Sequence, residues 1–120
     1  MKASHHVHSF LQLLKTETAT ADIHQRVRIR TAKEYAGQLG LHPNYLNSLL
    51  KEYTGTSISI HIKNQLLEKS KNLLLQTDWT LQYISYRTGF ANRSNFIQFF
   101  KSQTGATPNE FRKMARQKSN

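Results

Sequence analysis

Along nearly the whole chain apolar residues recur every three or four positions, and no stretch shows the strict alternation that marks a half-buried strand. An all-α fold is therefore expected. Val7, Phe10, Leu11 and Leu14 fall at i, i+3, i+4 and i+7 and predict a helix over about residues 4–17. Residues 18–30 lack that pattern, and within them Arg26-Val-Arg-Ile-Arg30 reads equally as a short extended piece or as a basic helical turn; they are taken as a connection. The next helix has a clear start, because Thr31 and Glu34 have the spacing of a capping box, in which each side chain satisfies a backbone N–H of the other. Ala32, Tyr35, Ala36 and Leu39 form its buried face and Gly40 ends it. Pro43 suits the first turn of a following helix, where its missing N–H is no loss, with Leu46, Leu49 and Leu50 facing inward until Gly55. A longer helix is predicted from about Ile58 to Gln76, burying Ile62, Leu66, Ser70, Leu73 and Leu74. Thr80 caps a helix that buries Leu81, Ile84 and Ser85 and ends at Gly89. A second capping box, Thr107-Pro-Asn-Glu110, opens a last helix carrying Phe111 and Arg112.

The second half of the chain repeats the first. Ala36-Gly-Gln-Leu-Gly-Leu41 matches Ser85-Tyr-Arg-Thr-Gly-Phe90 at an offset of 49, and Leu46-Asn-Ser-Leu-Leu-Lys-Glu-Tyr-Thr-Gly55 matches Phe96-Ile-Gln-Phe-Phe-Lys-Ser-Gln-Thr-Gly105 at an offset of 50. The second turn is thus one residue longer. Each match has a physical role: a small residue where helices approach, Gly at the helix exit, a large apolar residue in the turn, then a Lys and a Thr-Gly stop. A short helix, a turn and a second helix is the arrangement that presents the second helix to a DNA major groove.

Composition narrows the partner. Seventeen Lys and Arg against seven Asp and Glu leave a net charge of +10 on 120 residues, which favours a polyanion: nucleic acid first, an anionic membrane surface second. No apolar run reaches the length of a membrane span, and the N-terminal residues lack the charged head, apolar stretch and cleavage site of a signal peptide, so a cytoplasmic location is expected. The absence of cysteine excludes thiol nucleophiles, thiolate metal sites and disulfides. Neither clustered carboxylates, nor a nucleophile beside a base, nor a phosphate loop is evident, which argues against an enzyme. Glu34 and Glu110 act as helix caps, while Glu52 and Glu68 fall on exposed faces. His5, His6 and His8 are read as a flexible N-terminal end rather than a metal site, and no cofactor is expected. Phe96, Phe99 and Phe100 have the spacing of a core rather than of a platform for single-stranded bases. A membrane-surface or protein-binding amphipathic module would not require two matching units with polar faces.

The stretch Ile84-Ser-Tyr-Arg-Thr-Gly-Phe90, followed by Asn95-Phe-Ile-Gln-Phe-Phe-Lys101, Thr104-Gly105 and Thr107-Pro-Asn-Glu-Phe-Arg112, resembles the signature of the AraC/XylS family of bacterial transcription regulators. The resemblance runs from about Thr31 to Arg112. It implies two helix-turn-helix subdomains joined by a long linker helix, with two recognition helices in successive major grooves on one face of the duplex. Residues 31–112 are accordingly assigned to the DNA-binding domain, 1–30 to an N-terminal helix and basic connection, and 113–120 to a basic tail. Ser85 replaces the family's usual Ala, Leu66 and Ser70 replace the linker Arg and Ala, and Leu50 replaces an aromatic near the end of the first recognition helix.

The residues of the two recognition helices not committed to the core are the candidate DNA contacts. They are Asn44, Tyr45, Asn47, Ser48 and Lys51 on the first, and Arg93, Ser94, Asn95, Gln98 and Lys101 on the second. Arg pairs bidentately with guanine and Asn or Gln with adenine, so Arg93, Gln98, Asn44 and Asn47 are the expected base readers. Ser48, Ser94 and Asn95 suit either a base or a phosphate, and Lys51 and Lys101 suit phosphate. Double-stranded DNA is the expected partner and RNA polymerase a candidate second one; no membrane is expected. Many members of the family carry an effector-binding or dimerisation domain ahead of this region, for which these 120 residues have no room. The chain reads either as a stand-alone regulator or as the carboxyl-terminal piece of a longer protein, and the helix around Phe10 to Leu14 favours the second.

Overall fold

The computed structural model describes residues 2–118. Seven helices are found among them: α1 (Lys2–Thr18), α2 (Ala32–Gln38), α3 (Pro43–Thr54), α4 (Ile58–Gln76), α5 (Leu81–Arg87), α6 (Arg93–Thr104) and α7 (Pro108–Lys118). No strand occurs in the described residues. Helices α2 and α3 form one helix-turn-helix unit, α5 and α6 the other, and α4 runs between them. The body is elongated, 50 × 23 × 22 Å.

Local chemistry sets the boundaries. Thr31 Oγ1 accepts the Glu34 N–H at 3.1 Å while Glu34 Oε1 accepts the Thr31 N–H at 3.1 Å, so both halves of the first capping box are made. Thr107 and Glu110 make the same reciprocal pair ahead of α7. Ser57, Thr80 and Asn92 cap α4, α5 and α6 through their side-chain oxygens. The cap of α3 is less usual: His42 Nδ1 accepts the Asn44 N–H at 3.1 Å. Gly55 and Gly105 close α3 and α6 at φ 84° and 83°, a left-handed turn that disfavours a side chain. Just before each, the Thr54 and Thr104 hydroxyls donate back to Leu50 O and Phe100 O at 2.7 and 2.9 Å.

Two cores share α4 as their spine. Ile58, Ile62 and Leu66 pack with Leu46, Leu49, Leu50, Tyr35 and Ala36 in the first, while Leu73 and Leu74 pack with Ile84, Phe96 and Phe100 in the second. Helix α1, set apart by the sequence pattern, belongs to the first core through Val7, Phe10 and Leu14, with the Phe10 ring edge-on to Tyr35 at 5.5 Å. Burial pushes the Tyr35 hydroxyl pKa up.

Two expectations need correction, and two further side chains pack in ways the sequence did not announce. Phe99, which has the spacing of a core residue, is half-buried and packs against the first core, while its ring also meets Phe90 at 5.0 Å; it therefore joins the two units. Lys69, one turn after Gln65 on α4, is completely buried, where a solvated lysine would be the default. Its ammonium donates to Ala19 O at 2.9 Å and to Asp22 O, filling carbonyls just beyond the end of α1, and desolvation lowers its pKa. The expected tail is helical as far as Lys118; Ser119 and Asn120 lie outside the described residues. The continuation has a cause in Arg112, whose guanidinium donates to Leu74 O, Trp79 O and Thr77 O at 2.9, 2.8 and 3.1 Å and fastens α7 to the end of α4. Finally, Leu81 is only half-buried at the edge of the second core.

Candidate nucleic-acid interface

Helices α3 and α6 expose matching stripes. On α3 the residues Asn44, Tyr45, Ser48 and Lys51 are exposed, and at an offset of 50 on α6 so are Ser94, Asn95, Gln98 and Lys101, with Arg93 opening the helix. Positions i, i+1, i+4 and i+7 lie along one side of a helix, so each set forms a continuous polar strip opposite the buried leucines or phenylalanines. The side chains of Arg93, Ser94, Asn95 and Gln98 make no hydrogen bond to the described residues, which leaves their donors and acceptors available. Tyr45 is 47% exposed and has its ring 6.1 Å from that of His6, so the start of α1 borders the first strip. Helix α6 carries no acid, and α3 carries only Glu52.

Asn47 stands apart from this set. It is half-buried, and its Oδ1 accepts the Ile58 N–H at 3.0 Å, binding α3 to the first turn of α4. Bidentate pairing with adenine needs both the amide oxygen and the amide nitrogen, so base reading would compete for an oxygen that this bond already engages. Nine of the ten sequence-derived residues thus lie on the two strips or at their heads, and the tenth, Asn47, is tied to α4.

Between α5 and the start of α6 lies an open cleft of about 490 Å³, lined by Gln82, Tyr86, Asn92, Arg93 and Ser94 among others. Its polar groups border the α6 strip on the side of α5, and Gln82 and Tyr86 were not singled out from sequence. Their exposure on a helix whose opposite face buries Ile84 was the available signal.

The segment read as either extended or helical is not helical, and it contributes more than a connection. Val27 is buried and Ile29 packs against the first core, while the Arg26 and Arg30 guanidiniums lie over the rings of Tyr86 and Phe90. Arg28 between them is exposed. The five-residue Arg-Val-Arg-Ile-Arg pattern, too short to read as a strand, was the available signal for this two-sided strap.

Elsewhere the described residues hold no group of three or more His, Cys, Asp or Glu arranged to bind a metal. No described helix is long and apolar enough to cross a membrane. His61 Nε2 lies 2.8 Å from both Thr54 Oγ1 and Thr56 Oγ1 beside the exit of α3, and desolvation lowers its pKa.

Comparison with known proteins agrees with this arrangement. The family profile described as "Helix-turn-helix domain" matches residues 35–114. The chain is 32% identical over 113 residues to the uncharacterized HTH-type transcriptional regulator YobQ of Bacillus subtilis, covering 88% of this chain and 47% of YobQ. Among solved structures it superposes on the C-terminal domain of AraT, a response regulator from Geobacillus stearothermophilus, with a TM-score of 0.77 at 26% identity, covering 91% of this chain and 84% of that one. The DNA-binding domain of the global transcriptional factor AdpA, solved in complex with a target DNA, shares the fold with a TM-score of 0.73 at 16% identity, over 97% of this chain and 94% of that one. The chain spans less than half the length of curated relatives such as YobQ. With the tandem helix-turn-helix units, the profile match and the regulators among its relatives, the chain belongs to the AraC-type helix-turn-helix family of DNA-binding transcription regulators.

Proposed function

We propose that this domain reads a non-palindromic stretch of double-stranded DNA as a monomer, with α3 in one major groove and α6 in the next. The observation that carries the reading is the pair of matching polar strips at an offset of 50, both exposed, on one chain of net charge +10. Helix α4 supplies the spacing: nineteen residues at 1.5 Å each span about 28 Å, close to the roughly 34 Å between successive major grooves once the bulk of each unit is added. On this reading Arg93 and Gln98 contact base edges, joined by Asn44; Tyr45, Ser48, Ser94 and Asn95 complete the strips, and Lys51 and Lys101 hold phosphates. Asn47 is assigned to the fold instead.

The regulators that the chain resembles support a role in transcription without catalysis by this domain. RNA polymerase is the natural second partner of such a domain, and the greater length of its relatives is where a sensing or dimerisation domain would reside. Selection from a random duplex pool, followed by a salt titration on the selected site and on its separated strands, tests the assignment. A single preferred duplex is expected, bound more tightly than either strand, with affinity falling steeply as salt rises because phosphate contacts release counterions. Equal or tighter binding to the single strands would contradict it.

A further inference from the structure

We infer that Arg30 is a positioning residue for the second reading helix, acting through the strap of residues 24–30 that fastens the second helix-turn-helix unit to the first. The inference rests on the two-groove reading above and extends it: the linker helix sets how far apart the reading helices lie, and the strap sets how they are turned.

The strap meets the end of α5 group by group. A helix leaves its last carbonyls without internal partners, and cationic donors suit that end. Here Arg26 Nε donates to Tyr86 O at 3.3 Å, the Val27 N–H to Arg87 O at 2.8 Å, and Arg30 Nη1 to Gly89 O at 2.7 Å. Arg87 Nη2 donates in the opposite direction, to His24 O. The Arg26 and Arg30 guanidiniums sit 4.0 and 4.2 Å from the centroids of the Tyr86 and Phe90 rings. Val27 and Ile29, on the other side of the strap, are anchored in the first core.

Phe90 carries this attachment to α6. Its ring lies 5.6 Å from Phe96 and 5.0 Å from Phe99, both on the buried side of the reading helix. Arg30 thus rests on the residue against which α6 is oriented.

The internal repeat provides a control. At Gly40, the equivalent turn of the first unit, an added Cβ would meet nothing within 4 Å; at Gly89 it would lie 2.7 Å from Arg30 Cδ and 3.2 Å from Val27 O. Only the second unit is strapped. The second unit is also held to α4 by Leu73, Leu74 and Arg112 and to the first core by Phe99; the strap attaches it on a further side and so narrows the turn those contacts would allow. Orientation matters at this scale because one base pair of displacement is about 3.4 Å and roughly 35° around the duplex.

The test uses the whole chain, which has no cysteine of its own. Spin labels on Glu52→Cys and Gln103→Cys, exposed positions on α3 and α6 outside the proposed contacts, report the distance between the reading helices without DNA. Arg30→Ala should at least double the width of the distance distribution while helical circular dichroism is retained. Arg30→Lys, which keeps the charge but not the planar fork over Phe90, should widen it too, and this variant carries the test if the alanine variant does not fold. An unchanged width in both overturns the inference. In the second arm, one or two base pairs are inserted between the halves of the selected site. The parent should lose on the order of tenfold per insertion and Arg30→Ala less than about threefold, because a swivelling unit can follow the displaced half-site. A uniform loss at every spacing would reduce Arg30 to a stability role and overturn the proposal. A parent that binds every spacing alike, with the widening still present, would overturn the two-groove reading and the positioning role together.

Discussion

Asn47 Oδ1 accepts the backbone N–H of Ile58 at 3.0 Å, and the second unit explains why this pair exists. At the equivalent positions stand Ile97 and Pro108, an apolar side chain and a residue with no N–H to satisfy. The polar side chain occurs only in the unit whose helix offers the donor. Asn47→Ala should therefore behave as a capping mutation, lowering stability by about 1 kcal/mol with no change in base preference. Urea denaturation alongside binding to single-base variants of the selected site separates the two roles. A relaxed preference at one base, with stability intact, would return Asn47 to the reading surface.

Gly40 and Gly89 hold the same place in the repeat but should differ in tolerance. Both adopt positive φ, so alanine at either costs about 1–2 kcal/mol in backbone strain. At Gly89 the new Cβ also meets Arg30 and the Val27 carbonyl, adding roughly a further 1–3 kcal/mol. Chemical denaturation of the two variants should rank Gly89→Ala clearly below Gly40→Ala, and equal losses would show that the strap moves aside freely.

His61 makes stability depend on pH in a defined direction. Desolvation places its folded pKa below the ordinary value, so the unfolded chain binds the proton more readily. Its contribution is fully present above the unfolded pKa near 6.5 and is lost as pH falls through the folded value. The melting temperature should therefore drop as pH falls below about 6.5, and His61→Gln should flatten that part of the profile. A parent profile that rises toward acid through this range would contradict the assignment.

Arg93 and Lys51 should separate base reading from phosphate holding. Arg93→Ala is expected to cost about 1–3 kcal/mol on the preferred site and to relax one base position. Lys51→Ala should weaken all duplexes alike and reduce the steepness of the salt dependence. Uniform losses for both, measured across a panel of single-base variants, would place Arg93 on the backbone.

The helices were legible because their signals are local. Thr31 with Glu34, Pro43, Gly55 and Thr80 mark ends through chemistry within one turn, and α2, α3 and α4 begin and end within a residue or so of where the sequence puts them. What escaped was long-range. Nothing near Lys69 in sequence announces that the end of α1 will place Ala19 O and Asp22 O around its ammonium. Spacing puts Phe99 on the same side of α6 as Phe96, yet the neighbour it finds there is the first core. The strap was ambiguous because a period-two pattern of five residues is too short to outweigh a basic helical turn; its partners lie about sixty positions away on α5 and the turn after it. The candidate strips were legible through the repeat, whereas the bond between Asn47 and the Ile58 N–H was not, because that partner belongs to another helix.

The central claim, that one chain reads two successive grooves, is tested most directly by a hydroxyl-radical footprint on the selected duplex together with the mass of the complex. One protein per duplex is expected, with protection over about two helical turns on one face and no symmetry between the two protected segments. Two proteins related by a palindrome, or protection confined to a single turn, would contradict it.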